Sequence, residues 1–355
     1  MDKIFANRWL RLAALAVFAV LLIVAPLVSS RFINYQLSMI AVFAVALLGL
    51  NIVMGYTGQV SLGQSAFLGL GAYIAAYGVR NEWNLVLVLL LCAIIPAAVG
   101  MLVALAAARL RGLALAMITI ALPIIGIPLA RRFSEFTGGS QGTTVSFLGA
   151  PDWSGLANDQ WQYYVVLTIA VVAFVLARNL VRGRVGRAFA IVKENESVAL
   201  AMGVSPYRYK VLAFTISSLL GGVAGFMYLA IVQFTSPETM NFFTSINLVA
   251  AMVIGGSASI VGTILGAIYY VLVPVVAGQV NSSRTALISG AILLAVLFLL
   301  PRGLVSLPRR MSLLIGGTRR RGASPRDDQN SPDGASTADP GTPETPTAHE
   351  ERQAR

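Results

Sequence analysis

The chain has one histidine and one cysteine in 355 residues. His349 lies in a polar C-terminal stretch, and Cys92 sits inside a long apolar run. A lone cysteine forms no intramolecular disulfide and reads here as packing, and no group of His, Cys, Asp and Glu has metal-ligand spacing. The apolar runs also contain no acid. Asp2, Glu82, Glu135, Asp152, Asp159, Glu194, Glu196 and Glu238 fall outside them, and the other seven acids lie in the C-terminal stretch. Proton-driven carriers keep an ionisable group at membrane depth to carry the proton, so that class is disfavoured. The lysines are Lys3, Lys193 and Lys210, preceded by Asp2, Val192 and Tyr209. A P-loop requires Gly-Lys-Ser/Thr so that the lysine reaches the phosphates. The expectation is a chain with no catalytic residues, no metal and no nucleotide site or other cofactor of its own.

Hydrophobic residues make up 57% of the chain and charged residues only 12%, against about 25% charged in soluble domains. Apolar runs of this length predict membrane helices, since lipid offers the backbone no partner outside a helix or closed barrel. About ten spans are expected, roughly 10–28, 34–54, 60–78, 85–108, 112–130, 161–178, 209–232, 244–256, 259–279 and 285–301. The first run is too long for a signal-peptide core and lacks a small-residue cleavage site, so it reads as a retained span.

The net charge of +11 would suggest nucleic acid in a soluble protein; here it sorts by side of the membrane. In the ten-span order, Lys3, Arg8, Arg11, Arg109, Arg111 and the clusters after spans six and ten put eighteen basic residues on one side. Only Arg31, Arg80, Arg131, Arg132 and Arg284 fall on the other. Basic loops stay cytoplasmic, so both termini are expected in the cytoplasm, with no nucleic-acid partner.

Three segments stand outside the spans. Residues 131–160, with the turn-rich "TGGSQGTTVSFLGAPDWSG", form an outer loop expected to be ordered around Trp153. Residues 179–208 are the longest inner loop, and 322–355 are rich in Pro, Ser, Thr and Asp, a composition too polar to fold.

The apolar stretch "GYTGQVSLGQSAFLGLGAY" (55–73) is unusual for membrane depth. Its glycines allow close helix contact, and Ser61, Ser65 and Gly69 read as a small-residue stripe, as do Gly262 and Gly266. Alternatively the helix is interrupted near Gly55–Gly63 and lines a pathway. The combined expectation is that glycines such as Gly63 and Gly69 pack, while Tyr56, Thr57, Gln59, Ser61, Gln64 and Ser65 face a translocation path. A neutral polar lining suits a zwitterionic amino acid, and equally urea or a short amide.

Residues 186–203, "GRAFAIVKENESVALAMG", read as one amphipathic helix with Phe189, Val192, Ala199 and Met202 on its apolar face. Gly203 is expected at the C′ position, with Pro206 preventing continuation. Such a helix could rest on lipid headgroups or dock a partner.

The run 186–225 resembles the coupling segment of the branched-chain amino-acid ABC permeases. It does so through Gly186, Arg187, Ala188, Glu194, Asn195, Glu196, Ala199, Gly203, Tyr209 and Lys210. Lys193 stands where that family commonly has arginine, and Pro123 and Pro128 stand where a more polar stretch is usual. The stretch 55–73, "TGGSQG" (137–142), "GGSASIVGTILGA" (255–267) and "FLLPRGL" (298–304) resemble the same family, in its order and over about residues 34–304. The order around 111–142 looks like the larger of the two permeases.

The resemblance implies an all-α polytopic membrane protein of about ten transmembrane helices with a cytoplasmic coupling helix. Residues 1–33 would hold a cytoplasmic segment and the first span, 34–304 the permease domain, and 305–355 a basic segment and tail. It implies a bacterial cell membrane and a heterodimer with a second, related permease. It further implies two cytoplasmic ATPase subunits, which use ATP and Mg, and an external substrate-binding protein. Arg187, Glu194, Asn195, Glu196, Ala199 and Gly203 would couple to the ATPases. The expected cargo is a branched-chain or other hydrophobic amino acid. Alternatives are an importer of urea or short amides, a stand-alone channel, or a structural scaffold.

From the missing Gly-Lys-Ser/Thr, the purified chain is expected neither to bind nor to hydrolyse ATP. Photolabelling with an azido-ATP analogue checks this, and specific labelling of the isolated chain contradicts it.

Overall fold

The computed structural model describes residues 20–107, 113–280, 284–299 and 303–306. Most of the first expected span, with Lys3, Arg8 and Arg11, lies outside the described residues. So do Arg109, Arg111, Arg302 and the segment 307–355. All described residues belong to one compact unit.

Helix α1 (20–28) is followed by α2 (Arg31–Leu50), which runs directly into a π-helical turn, Asn51–Tyr56. Residues 57–63 are not helical. Helices α3 (Gln64–Arg80), α4 (Leu85–Ala107) and α5 (Leu113–Arg132) follow, the last running through both Pro123 and Pro128. After the short α6 (Ser134–Thr137) and strand β1 (Thr143–Thr144) come α7 (Asn158–Arg182), α8 (Arg184–Glu194) and α9 (Glu196–Ala201). Next come α10 (Pro206–Val232), strand β2 (Phe234–Thr235), α11 (Phe242–Gly255), α12 (Ile260–Val280) and α13 (Thr285–Leu299).

Among the described residues, six helices are long and apolar enough to cross a membrane: α2 with its π turn, α4, α5, α7, α10 and α12. The sequence-based count of about ten includes a first span that lies mostly outside the described residues. Three other expected spans do fold as helices, but α3 has 17 residues, α11 has 14 and α13 has 15. The polar, glycine-containing start of the third span leaves 57–63 outside the helix. The eighth stops at Gly256, whose φ of +123° no helix accommodates.

The core forms where α10 meets α2, α3 and α4, and α2 and α10 are the most enclosed of the long helices. Small residues permit this, because without hydrophobic drive between helices in lipid, close backbone contact supplies the attraction. A Cβ on Gly71 would collide with the Gly222 backbone, and one on Gly222 with the Cys92 carbonyl. Cys92 is fully buried, and its thiol donates to the Gly71 carbonyl at 3.3 Å. Three helices therefore meet backbone to backbone at one level. The proposed stripe of Ser61, Ser65 and Gly69 is corrected in part, because Ser61 lies in the non-helical segment and the i, i+4 relation fails there. Gly69 does pack, against Met240, and Gly63 against Leu122. Gly262 and Gly266 bring α12 onto α11 at Gly255 and Ala251.

The Gly222 contact generates a prediction. Gly222→Val overpacks the junction and should cost about 1–3 kcal/mol or more, lowering the melting temperature and the monodisperse yield. Gly290→Ala, with open space around its Cα, should leave both close to wild type.

Candidate functional site

Interrupting a helix inside an apolar bundle frees amides and carbonyls that water cannot reach, and each must find a partner. The segment 51–65 meets this demand with its own polar side chains and with five other elements. The π turn begins at Asn51, fully buried, whose amide donates to the Ser259 carbonyl (2.9 Å) and accepts from the Ala258 amide (2.8 Å). Ala258 is held at φ +57°, a conformation β-carbons disfavour. A side chain on Gly55 would strike the Asn51 carboxamide. Asn51 thus clamps the α11–α12 loop to α2. The sequence reading passed over it, although the one amide in the apolar stretch 39–54 was the available signal.

The expected pathway residues are nearly all enclosed: Thr57, Gln59, Ser61, Gln64 and Ser65 are each at most 5% exposed, and Tyr56 is half-buried. The Thr57 hydroxyl donates to the Val53 carbonyl (2.6 Å), which also receives the Gln59 amide (3.1 Å). The Gln59 side chain donates to Thr57 Oγ1 (2.8 Å) and to the Lys210 carbonyl (3.3 Å). Leu62 N–H donates to Thr119 Oγ1 of α5 (3.0 Å). Gln64 donates to the Ala46 carbonyl (3.0 Å) and accepts from the Ser217 hydroxyl (3.2 Å). Ser65 N–H donates to Ser245 Oγ (3.0 Å), and the two hydroxyls lie 2.7 Å apart. These side chains hold the interruption in place. Thr119, Ser217 and Ser245 complete it, and no local sequence pattern marks them.

The loop after α7 reaches the same segment. Lys193 Nζ donates to the Gly55 carbonyl (2.6 Å), an acceptor that the interruption leaves without its helical donor. Lys210 Nζ pairs with Glu196 Oε1 at 2.5 Å, with the lysine side chain 8% and the glutamate 25% exposed. Phe189 is fully buried, with its ring edge-on to Tyr209.

The single helix expected over 186–203 is corrected to two. Asn195, at φ −159°, caps α9 by accepting from Ser197 N–H (2.8 Å) and Val198 N–H (3.3 Å). A strong N-cap residue mid-run starts a new helix instead of continuing the old one. Phe189, Val192 and Ala199 are buried as expected, but Met202 is 63% exposed, alongside exposed Val198 and Leu200. The break rotates α9, so continuous helical spacing from α8 no longer places Met202 inward. Arg187, Glu194 and Asn195 are exposed, and Glu196 is half-buried. Gly203 takes the left-handed conformation expected of C′ (φ +76°). Its amide donates to Leu200 O (3.0 Å) and that of Val204 to Ala199 O (2.8 Å), a Schellman ending.

At the other end of α5, "TGGSQG" forms a compact turn. Gly138, Gly139 and Gly142 all have positive φ, and the Thr137 hydroxyl donates back to the carbonyls of Ala130 and Phe133. The turn delivers β1 to β2 in an antiparallel pair, Thr143 opposite Thr235. Trp153, expected to order this loop, is 81% exposed. The anchor is Phe147, buried edge-on against Phe226, because the strand pairing fixes the chain next to Phe147 and not next to Trp153. Arg131 reaches Glu238 at 3.2 Å. The carboxyl is held below the ordinary glutamate range by its own backbone amide and the Ser236 hydroxyl, with Arg131 adding to the shift.

Four of the five resembling stretches therefore converge on the interruption. Stretches 55–73 and 255–267 meet at Asn51 and Gly55, 186–225 supplies Lys193, Lys210 and Ser217, and 298–304 seats Gly303 against Gly256. The pair Glu196–Lys210 generates a prediction. Lys210→Met removes a buried ammonium from the Glu196 carboxylate and should destabilise by about 2 kcal/mol, below the fully buried range because Glu196 reaches solvent. A double-mutant cycle with Glu196→Gln should return a coupling energy above about 0.5 kcal/mol, and additivity would contradict the pairing.

The comparisons with known proteins agree with this geometry. The family model described as branched-chain amino acid transport system / permease component matches residues 32–299. The high-affinity branched-chain amino acid transport system permease protein LivM of Salmonella typhimurium is 30% identical, over 89% of this chain and 79% of its own. The Escherichia coli protein of the same name is 29% identical, over 90% and 80%. The autoinducer 2 import system permease protein LsrC of Enterobacter sp. is 26% identical, over 84% and 88%. With its family match covering the interruption and the loop that grips it, the chain belongs to the family of branched-chain amino acid transport permease components.

Proposed function

We propose that this chain is the transmembrane permease subunit of an ATP-driven importer of branched-chain or other hydrophobic amino acids. It carries no enzymatic step itself. Two cytoplasmic ATPase subunits supply the energy with ATP and Mg, a second related permease completes the pathway, and an extracytoplasmic binding protein delivers cargo. The chain sits in a bacterial cell membrane, with α8 and α9 on the cytoplasmic face and both termini on that side. The short helices α3, α11 and α13 add to the six long ones toward the ten-span arrangement.

One observation carries this reading. The α8–α9 loop is bonded directly to the interrupted helix, through Lys193 on the Gly55 carbonyl and through Glu196 on Lys210, whose own carbonyl receives Gln59. A stand-alone channel has no use for such a connection. Val198, Leu200 and Met202 project from α9 into solvent, where a partner surface would cover them. Arg187, Glu194 and Asn195 flank that surface as exposed polar contacts. A push on α9 reaches the freed backbone at 55–59 without crossing flexible chain.

Tyr56, Thr57, Gln59, Ser61, Gln64 and Ser65 form the part of the pathway wall that moves. Gln59, Gln64 and Ser65 hydrogen-bond to α2, α10 and α11, and Lys193 of α8 holds the neighbouring Gly55 carbonyl, so shifting α8 re-partners them and opens or closes the route. Neutral amides and hydroxyls pass a zwitterion without trapping it by charge.

Two variants test the reading. Leu200→Asp changes only an exposed side chain, and Gly203→Val strains a left-handed position by about 1–2 kcal/mol in otherwise open space. Both should insert and melt near wild type, yet lose ATPase co-purification and reduce radiolabelled leucine uptake by about tenfold or more. Normal uptake in either variant without bound ATPase would sink the importer reading and favour the channel.

A further inference from the structure

An elongated cleft of about 610 Å³ lies over α3, between α4 and α5. Its floor includes Phe67, Leu70 and Tyr73, and its walls include Ile95 on one side with Ile125 and Leu129 on the other. From Ala66 to Tyr77 along α3 it spans about 16 Å at 1.5 Å per residue, so it runs from the start of α3 to that helix's far end. Its inner end reaches Leu122, the residue packed on Gly63 of the interruption.

Polar groups are almost absent from it. The Thr137 hydroxyl is committed to the Ala130 and Phe133 carbonyls. The Tyr73 hydroxyl is the exception. Tyr73 is 6% exposed and lines the cleft, and its oxygen has no hydrogen-bond partner. A buried hydroxyl without a partner costs about 1–3 kcal/mol, so the cleft is incomplete as it stands.

The occupant follows from size and charge. An amino-acid zwitterion would bury two charges against aliphatic and aromatic carbon with a single hydroxyl to meet them, which is prohibitive. A single flexible hydrocarbon chain suits a cleft that is elongated and lined almost wholly by aliphatic and aromatic carbon. At the mouth, Tyr77, Trp83 and Phe136 form an aromatic cluster, the arrangement found at headgroup level. Around it stand Arg80, over the Tyr77 ring with one guanidinium nitrogen donating to the Glu135 carbonyl (2.7 Å), and exposed Arg132, which makes no hydrogen bond or ion pair among the described residues. Arg131 is held by Glu238.

We propose that this cleft binds one acyl chain of an anionic phospholipid from the leaflet bordering the α3–α4 turn. The chain fills the space down to Leu122, Tyr73 donates to the ester carbonyl, and Arg80 and Arg132 meet the phosphate. The lipid braces α5 against the interrupted helix, and the inference does not depend on the cargo or the ATPases.

The full chain, purified in mild detergent and washed, is examined by native mass spectrometry. One retained phospholipid is expected, with phosphatidylglycerol preferred over neutral phospholipid. Ile95→Trp and Ile125→Trp, which fill the cleft from opposite walls, should each lower its occupancy by about tenfold or more. Tyr73→Phe should lower it by about three- to tenfold, and Arg132→Gln should reduce the preference for phosphatidylglycerol. For the unmodified chain in phosphatidylcholine vesicles, a chain-spin-labelled phosphatidylglycerol should give a motionally restricted signal that saturates at a single lipid per chain. No retained phospholipid, occupancy unchanged from the unmodified chain in both tryptophan variants, or a signal that never saturates would each overturn the proposal. So would stoichiometric leucine binding that Ile95→Trp abolishes, which would make the cleft a cargo chamber.

Discussion

A helix that stops inside an apolar bundle must find partners for every amide and carbonyl it releases, and this requirement organises the structure around residues 51–65. Beyond the local bonds of Thr57 and Gln59 to the Val53 carbonyl, five different elements hold the segment. Asn51 takes the α11–α12 loop, Thr119 takes Leu62, Ser245 takes Ser65, Ser217 takes Gln64, and Lys193 takes Gly55. None of these bonds is local in sequence. The interruption therefore forms only when the whole bundle has assembled, and moving any one of its partners changes the rest.

Close packing makes those reaches possible. The Thr, Ser and Asn side chains involved extend only a few ångströms, so their helices must approach backbone to backbone. Gly71, Gly222 and Cys92 hold α3, α10 and α4 at that distance, and Gly255 with Gly262 does the same for α11 and α12. The glycines and the polar residues thus serve one purpose at different positions. Glycine sets the spacing, and the short polar side chains use it.

The α8–α9 loop links the interruption to an exposed apolar surface. It is tied to the bundle by charged groups at one end and presents exposed apolar residues at the other. Asn195 and the Schellman ending at Gly203 fix both ends of α9, so a short helix outside the bundle keeps a defined orientation. Lys193 serves where a planar, bidentate group is common in the family, because the Gly55 carbonyl is a single acceptor that an ammonium meets well.

The sequence by itself determined the class of protein, the position of most helices and the presence of an interruption near Gly55–Gly63. These depend on local properties: apolar run length, glycine content, and the position of Gly203 before Pro206. It also marked out the stretch that folds as α8 and α9, through a pattern of residues. It could not decide which way the polar residues of 57–65 face. A hydroxyl on a helix serves a pathway or a neighbouring backbone equally well until the neighbour is placed, and here Ser217, Ser245 and Thr119 lie 50 or more residues away in sequence. The division of 186–203 into two helices was written in Asn195, but helical periodicity outweighed it in the reading. The exposure of Met202, the burial of Lys210 and the cleft beside Tyr73 were decided by tertiary structure alone. Each depends on what packs against a residue from a distant part of the chain, and hydrophobic periodicity records only that something does.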